Sequence, residues 1–354
     1  MSVKRPVYLK QLLFFPALAL MSTAFFSSCQ KVTSSTTDIG DWAVSNEYDG
    51  ATRTQPVCFV INNIAYVGLG YNGTTLARYN DFYKFDETAH SWYKVADFPG
   101  AARNAAVAFA VNGKGYVATG FDGTNFLRDV WQFDPTAGAT GTWTQMHDFP
   151  GSPRYGATAF AIGNNGYLVA GYDSVPTFKK DMWIYDQPTD SWRQGADLGN
   201  NKRQSPVSFV YNGIGYVVTG QNNGTYLNDL WAYNPTDSSW KEKRIIQGGI
   251  NDSAYAAAYG NNILRSDASV FLINDTAYLT NGVYSSVIGT TWAYDIGNDQ
   301  WFQKTSFEGS ARQGGIGFSV NNHGYFGLGS NGSVYFDDLW QFFPDAAQTN
   351  NDNN

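Results

Sequence analysis

Residues Thr142–Arg154 read TWTQMHDFPGSPR, which sets Trp143 eleven positions before Arg154. The same gap separates Trp92 from Arg103, Trp192 from Arg203, Trp301 from Arg312 and, nearer the N-terminus, Trp42 from Arg53. Counting forward, these arginines and Arg265 are each followed at plus six by a phenylalanine: Phe59, Phe109, Phe160, Phe209, Phe271 and Phe318. Six units thus recur in step at a period of about 50 residues, the signature of a repeat architecture whose units stack into one continuous core. A chain of 354 residues has length for two or three ordinary domains, but repetition favours a single large one.

Unit two shows the local structure most clearly. Arg103–Val111 (RNAAVAFAV) reads as a first strand, Asn112-Gly113 as a tight turn that takes positive φ, and Lys114–Thr119 (KGYVAT) as a second strand ended by Gly120. After a polar loop, Asp129–Phe133 (DVWQF) and Thr142–Met146 (TWTQM) supply the third and fourth strands. Unit four repeats the plan with SFV, Asn212-Gly213, IGYVVTG, DLWAY and SSW. Each unit is therefore a four-stranded antiparallel meander. In the second strands both faces are apolar, with Tyr216 and Val218 on one side and Val217 on the other. Sheets of that kind pack face to face, and radial closure does this while leaving few exposed edges, which is the β-propeller solution.

Several features together resemble Kelch repeats of the galactose-oxidase-like, Kelch-type propellers, over roughly Trp42 to Phe343. They are the period, the opening Arg, the Tyr of strand two, the D-x-W-x-[YF] third strand and the fourth-strand Trp. The family's usual Gly-Gly after strand two departs here to Thr-Gly, Ala-Gly, Leu-Gly and, in unit five, Thr280-Asn281. The fold class expected is all-β: a six-bladed β-propeller of four-stranded antiparallel blades, with an N-terminal strand closing the last blade. That closure is read from DLWQFFP, which ends unit six without a fourth strand, and from the orphan Trp42, which stands in fourth-strand register. The spacing breaks once, where Trp240 to Arg265 spans 25 positions. In Kelch-type propellers this connection lies on the face that carries the loops between strands two and three. Ser253–Tyr259 (SAYAAAY) within it is predicted as a short helix, because alanine favours helix and Ser253 can cap.

The first thirty residues are read apart from the fold. Lys4, Arg5 and Lys10 precede an apolar run, Leu12–Phe26, short for a membrane span, and Ser27-Ser28 precede Cys29. This resembles a bacterial lipoprotein signal in which Cys29 becomes the lipidated first residue. The division expected is signal peptide 1–28, tether 29–40, propeller 41–345 and frayed tail 346–354. Location would be the cell envelope, lipid-anchored at the outer membrane, on either side of it. Removing residues 1–28 takes three basic and no acidic residues and leaves 20 Lys/Arg against 30 Asp/Glu. Such a balance argues against nucleic acid as partner. With Cys58 then the single thiol, no intrachain disulfide is expected.

For function, Arg53, Arg103, Arg154, Arg203, Arg265 and Arg312 open the inner strands near the channel mouth. Two readings stand side by side. As a ring of guanidiniums they would bind carboxylates or phosphates. As frame residues they would pack between blades with their heads on backbone or on Asp129, Asp181 or Asp229, since strand parity puts Arg and the Phe at plus six on one face. Asn104, Tyr155, Gln204 and Gln313 follow their arginines and add hydrogen-bonding groups, while Tyr255 and Tyr259 lie in the irregular connection. These residues, with the mouth-loop aromatics Tyr71, Phe121, Tyr172, Tyr226 and Tyr284, are the candidate binding set. No catalytic residue is assigned.

Three scattered histidines and the absence of a Tyr–Cys copper site, a calcium-loop spacing or a G-x-S-x-G motif leave no metal, cofactor or hydrolytic centre expected. The function expected is binding of a glycan fragment, a peptide or an envelope partner protein by a monomeric propeller. The alternative, implied by the resemblance, is a sugar mutarotase or epimerase acting on N-acetylneuraminate.

Overall fold

The computed structural model describes residues 1–2, 39–199, 201–243 and 263–349. Cys29, Tyr255, Tyr259 and the expected helix Ser253–Tyr259 lie outside the described residues. Among those described every regular element is a strand, and six four-stranded antiparallel sheets form the blades of a propeller. In blade two, Val107–Val111, Lys114–Ala118, Val130–Asp134 and Thr142–Met146 run from the channel outward as a meander. Blades one, three, four and five repeat this order.

Blade six takes its outer strand from the other end of the chain. Asp41–Glu47 pairs antiparallel with Asp338–Phe343, and Trp42 faces Phe342. In blade two Trp143 faces Phe133, and in blade three Trp192 faces Tyr185, so Trp42 occupies the fourth-strand tryptophan position. Its indole is fully buried against Phe271, Phe307, Phe326 and Phe342. The two ends are tied further: Gly40 donates to the carbonyl of Ala346, and Asp41 accepts from the amide and hydroxyl of Thr349. A tail frayed from residue 346 is therefore corrected for Ala346–Thr349, which the latch holds.

Blades stack through the repeated aromatics. The phenylalanine at plus six lies flat on the tyrosine of its own second strand in every blade, as in Phe109–Tyr116 at 8° and Phe209–Tyr216 at 5° between ring planes. It also presses on the next blade: a Cβ on Gly166 would come within 2.2 Å of Phe109. This explains why a glycine precedes the strand-two tyrosine in four of the units and alanine in the other two.

The repeated arginines are frame residues. All six side chains are at most 1 % exposed. Arg103 places Nη1 at 2.6 Å and Nη2 at 2.7 Å from the two carboxylate oxygens of Asp129. Its Nη1 also reaches the carbonyl of Thr119, and its Nε that of Ala101. Arg53 with Asp81, Arg154 with Asp181, Arg203 with Asp229 and Arg312 with Asp338 repeat the fork. The tryptophan of the D-x-W motif then donates to the same carboxylate, as Trp131 does to Asp129 at 2.8 Å. Burial alone would raise the carboxyls of Asp129 and Asp229, but their guanidinium partners hold them below the ordinary range. In blade five Thr290 stands where the others have Asp, and Arg265 donates to its carbonyl and hydroxyl.

Two backbone rings close the mouth end of the channel. Each residue two positions after the arginine is left-handed: Gln55, Ala105, Gly156, Ser205, Asp267 and Gly314, with φ between 50° and 62°. Around this ring each donates its N–H to the carbonyl of the one before, and Gln55 to Gly314 closes the circle at 2.6 Å. The kink also ends the inner strand, which begins at Val107 and not at Arg103, so strand parity does not carry from arginine to phenylalanine. A second ring joins the glycine after strand two to the arginine of the next blade, from Gly70 to Arg103 through Gly329 to Arg53. The pair before this bond is left-handed at both positions, for example Thr119 at 63° and Gly120 at 105°. In unit five the pair is Asn281-Gly282, one residue later than the sequence reading, because Thr280 still pairs with Thr291 in the strand.

Candidate functional site

The mouth face carries the loops between strands two and three. The residue following each arginine bridges to the first residue of that loop: Thr54 to Tyr71, Asn104 to Phe121, Tyr155 to Tyr172, Gln204 to Gln221, Ser266 to Val283 and Gln313 to Ser330. These positions escape the repeat's structural constraints, and here the blades differ.

At the centre lies a polar floor. Arg78 Nε donates to Asn104 Oδ1 at 2.8 Å, and Asn104 Nδ2 donates to Gln55 Oε1 at 2.6 Å. Gln55 Nε2 in turn donates to Asp267 Oδ1 at 3.3 Å. Gln55 reaches Asp267 by leaning across Gly314, where an added Cβ would sit 3.0 Å from its Cγ. Asp267 also accepts from Ser266 and Ser205. Burial pushes its carboxyl above the ordinary range against these hydrogen bonds.

Across blades one to three an aromatic crescent borders the floor. The Arg78 guanidinium sits between the Tyr71 ring, 4.5 Å away, and the Phe121 ring, 5.0 Å away. From Phe121 the rings continue through Phe126 to Tyr155 at 5.0 Å, then to Tyr172 at 5.8 Å and Phe178 at 5.0 Å. All are half-buried, so each keeps part of its surface toward solvent. On the opposite side, Tyr226 and Tyr284 pair at 4.9 Å.

The sequence candidates divide accordingly. Asn104, Tyr155 and Gln204 lie on the mouth face with Tyr71, Phe121, Tyr172, Tyr226 and Tyr284. Arg103, Arg154, Arg203, Arg265 and Arg312 do not line it. A ligand-binding ring of arginines is corrected, because their guanidiniums are buried in the frame on carboxylate, carbonyl and hydroxyl acceptors. Sequence reasoning missed Gln55, Arg78 and Asp267. The column two places after each arginine reads Gln, Ala, Gly, Ser, Asp, Gly, and an acid among small residues there was the available signal. Arg78 lies outside any repeated position and left none.

This architecture, with its Arg–Asp frame and D-x-W strands, defines a six-bladed Kelch-type propeller. The chain belongs to the Kelch-repeat family: residues 55–264 match the family described as the KLHDC2/KLHL20/DRC7 Kelch-repeats domain. It is similar to the N-acetylneuraminate epimerase of Shigella sonnei, 32 % identical over 109 residues, which cover 28 % of this chain and 29 % of that enzyme. The N-acetylneuraminate epimerase of Escherichia coli K12 is 31 % identical over the same length. An F-box/kelch-repeat protein of Arabidopsis thaliana is 23 % identical over 154 residues, 44 % of this chain and 38 % of that protein. The chain thus spans less than a third of the length of the epimerases it matches. In fold it is similar to YjhT, with a TM-score of 0.69, 14 % identity, and coverage of 83 % of this chain and 95 % of that one.

Proposed function

We propose that the mouth face binds a carbohydrate fragment. One observation carries the reading: a crescent of half-exposed rings, Phe121, Phe126, Tyr155 and Tyr172, stands beside a floor of amide and carboxylate groups, Asn104, Gln55 and Asp267. Aromatic faces take the apolar face of a sugar ring, and amides and carboxylates take its hydroxyls. A glycan array probed with the full chain, in parallel with a peptide library, tests this. Glycan binding lost in Tyr155→Ala with the fold kept supports it; peptide binding without glycan binding overturns it in favour of a peptide or envelope-protein partner.

A second reading is sugar mutarotation or epimerisation, favoured by the similarity to N-acetylneuraminate epimerases. That chemistry needs a cation for the sugar carboxylate and an acid/base group near the anomeric carbon. Arg78 and Asp267 are mouth side chains of those types. NMR of N-acetylneuraminate anomers with and without the protein decides it, and an unchanged rate of anomer exchange removes the reading.

The site would stand at the cell envelope, anchored through a lipid on Cys29. Labelling with a fatty-acid analogue, present in the wild type and lost in Cys29→Ser, tests the anchor.

A further inference from the structure

Asp267 is the acid in an otherwise uncharged ring at the floor of the mouth. With Gln55, Ser205 and small neighbours it lines a cavity of about 140 Å³. Its three hydrogen-bond partners, Gln55, Ser205 and Ser266, are neutral. Among the described residues no Lys, Arg or His forms an ion pair with it. The acids of the arginine frame differ sharply: Asp129, Asp181 and Asp229 each hold a bidentate arginine. A carboxylate offers about four acceptor positions, so three donors leave one unfilled, and the ionised form has no opposite charge beside it.

The relay beside it has a direction. Arg78 donates to Asn104, Asn104 to Gln55 and Gln55 to Asp267, so every link presents a donor toward the carboxylate and works against the burial that pushes this carboxyl above its ordinary range. Arg78 itself is held away, three hydrogen bonds distant, between the rings of Tyr71 and Phe121. An acid kept in a desolvated place and supplied only with neutral donors costs stability, and such costs concentrate at functional sites. What the carboxylate lacks is a compact cation that brings its own donors. A primary ammonium supplies three donors and one positive charge. At about 30 Å³ of liquid volume per water-sized group, it fits the cavity with space for solvent.

We propose that Asp267 anchors an ammonium group of the ligand, so that the mouth selects sugars bearing a free amine over their N-acetylated or hydroxyl counterparts. The anchor is independent of the rings; its assignment to a sugar rests on the carbohydrate reading above. Acetylation would remove the charge and push an acyl group into the cavity, while a hydroxyl would keep one donor and no charge.

Calorimetric titration of the full chain with glucosamine, N-acetylglucosamine, glucose and ethylammonium tests this. The wild type is expected to bind glucosamine at least about tenfold tighter than N-acetylglucosamine, as a charge-assisted hydrogen bond allows. Asp267→Asn and Asp267→Ser should erase that preference while leaving the melting temperature unchanged or higher, since each removes an uncompensated acid. Equal binding of glucosamine and N-acetylglucosamine by the wild type overturns the anchor without any variant being needed, and so does a preference that survives in both variants. Ethylammonium binding that depends on Asp267, with no sugar bound, keeps the anchor and removes the carbohydrate reading. Three sugars bound equally do the reverse, and no binding by any probe overturns both.

Discussion

Gly120 donates its backbone N–H to the carbonyl oxygen of Arg154, 2.8 Å away in the next blade. The bond recurs around all six blades, so it joins the frame of one blade to the arginine of its neighbour. Making it requires two left-handed residues in succession, Thr119 and Gly120. At the second, φ is 105° and a Cβ would stand 3.0 Å from Ala106 Cβ and 3.1 Å from the carbonyl oxygen of Asn104. Gly120→Ala is therefore expected to cost about 2–3 kcal/mol, strain of the kind that a disallowed φ imposes. The first position tolerates side chains but not freely: Thr119 is β-branched, and its buried hydroxyl has no hydrogen-bond partner. Thr119→Gly relieves both penalties against about 1 kcal/mol of added chain entropy. Its stability should stay within about 1 kcal/mol of wild type or exceed it. Urea denaturation of the two variants gives the comparison.

The Arg103–Asp129 fork makes a separate prediction. Removing one partner of a buried pair leaves the other charge uncompensated, which costs about 3–5 kcal/mol. Arg103→Ala and Asp129→Ala should each fall in that range by chemical denaturation. The double variant should lose less than the two together, because neither charge is then stranded. Arg103→Ala with wild-type stability would return the arginine to the list of ligand-binding residues.

The blade count and the latch were legible because repeated residues keep repeated jobs: an eleven-residue gap from Trp to Arg is the distance from one outer strand to the next blade's frame. What parity could not show was the kink at Ala105, since nothing about alanine announces φ of 51°. Only the column of six residues, read together with their backbone ring, marks that position as special. The candidate site was legible in part. Phe121 stood out as an aromatic that the repeat does not demand and Tyr155 as a hydrogen-bonding residue beside its arginine, yet their convergence with Arg78 comes from loop conformation, which has no periodic signature.

The latch can be tested at Trp42. Its indole fills a pocket made by Phe271, Phe307, Phe326 and Phe342, and truncating a buried tryptophan costs about 3–5 kcal/mol. Trp42→Ala should lower the melting temperature by several degrees. Deleting residues 41–48 should lower it sharply, because the last blade then loses its outer strand. A melting temperature unchanged by the deletion would refute closure by this strand.

Ring closure also has a pH-dependent clasp. Glu87 of blade one accepts from Asn321 at 2.5 Å and from Tyr325 at 2.7 Å in blade six, with His323 Nδ1 at 2.6 Å. Burial pushes the Glu87 carboxyl up, but these hydrogen bonds outweigh it and hold the group below its ordinary 4.5. A depressed folded-state value means stability that is present above the unfolded value and lost as pH falls through the folded one. Denaturation midpoints of the wild type should therefore decline as pH drops below the ordinary carboxylate range. Glu87→Gln should be less stable near neutral pH and should show a shallower decline. Parallel curves for the two proteins would remove Glu87 from the acid response.

Tyr155 separates site from scaffold most cleanly. Its ring meets Phe126 at 5.0 Å and Tyr172 at 5.8 Å on the solvent side of the frame, and it follows Arg154, whose own role is buried. The Arg154 guanidinium and its bonds to Asp181 do not involve the Tyr155 side chain. Tyr155→Ala should therefore cost about 1–3 kcal/mol in stability, from its contacts with three half-buried rings, and less than the loss of Arg103 or Asp129 from the frame. Stacking surface lost from the middle of the crescent should weaken ligand binding about tenfold or more, since aromatic anchors at the centre of an interface carry a large share of its energy. Tyr155→Phe keeps the ring and loses the hydroxyl, whose ionisation burial already disfavours. It should bind within about twofold of wild type if stacking is the interaction that matters. Equal weakening in both variants would assign the contribution to the hydroxyl, and no weakening in either would move the ligand off the crescent.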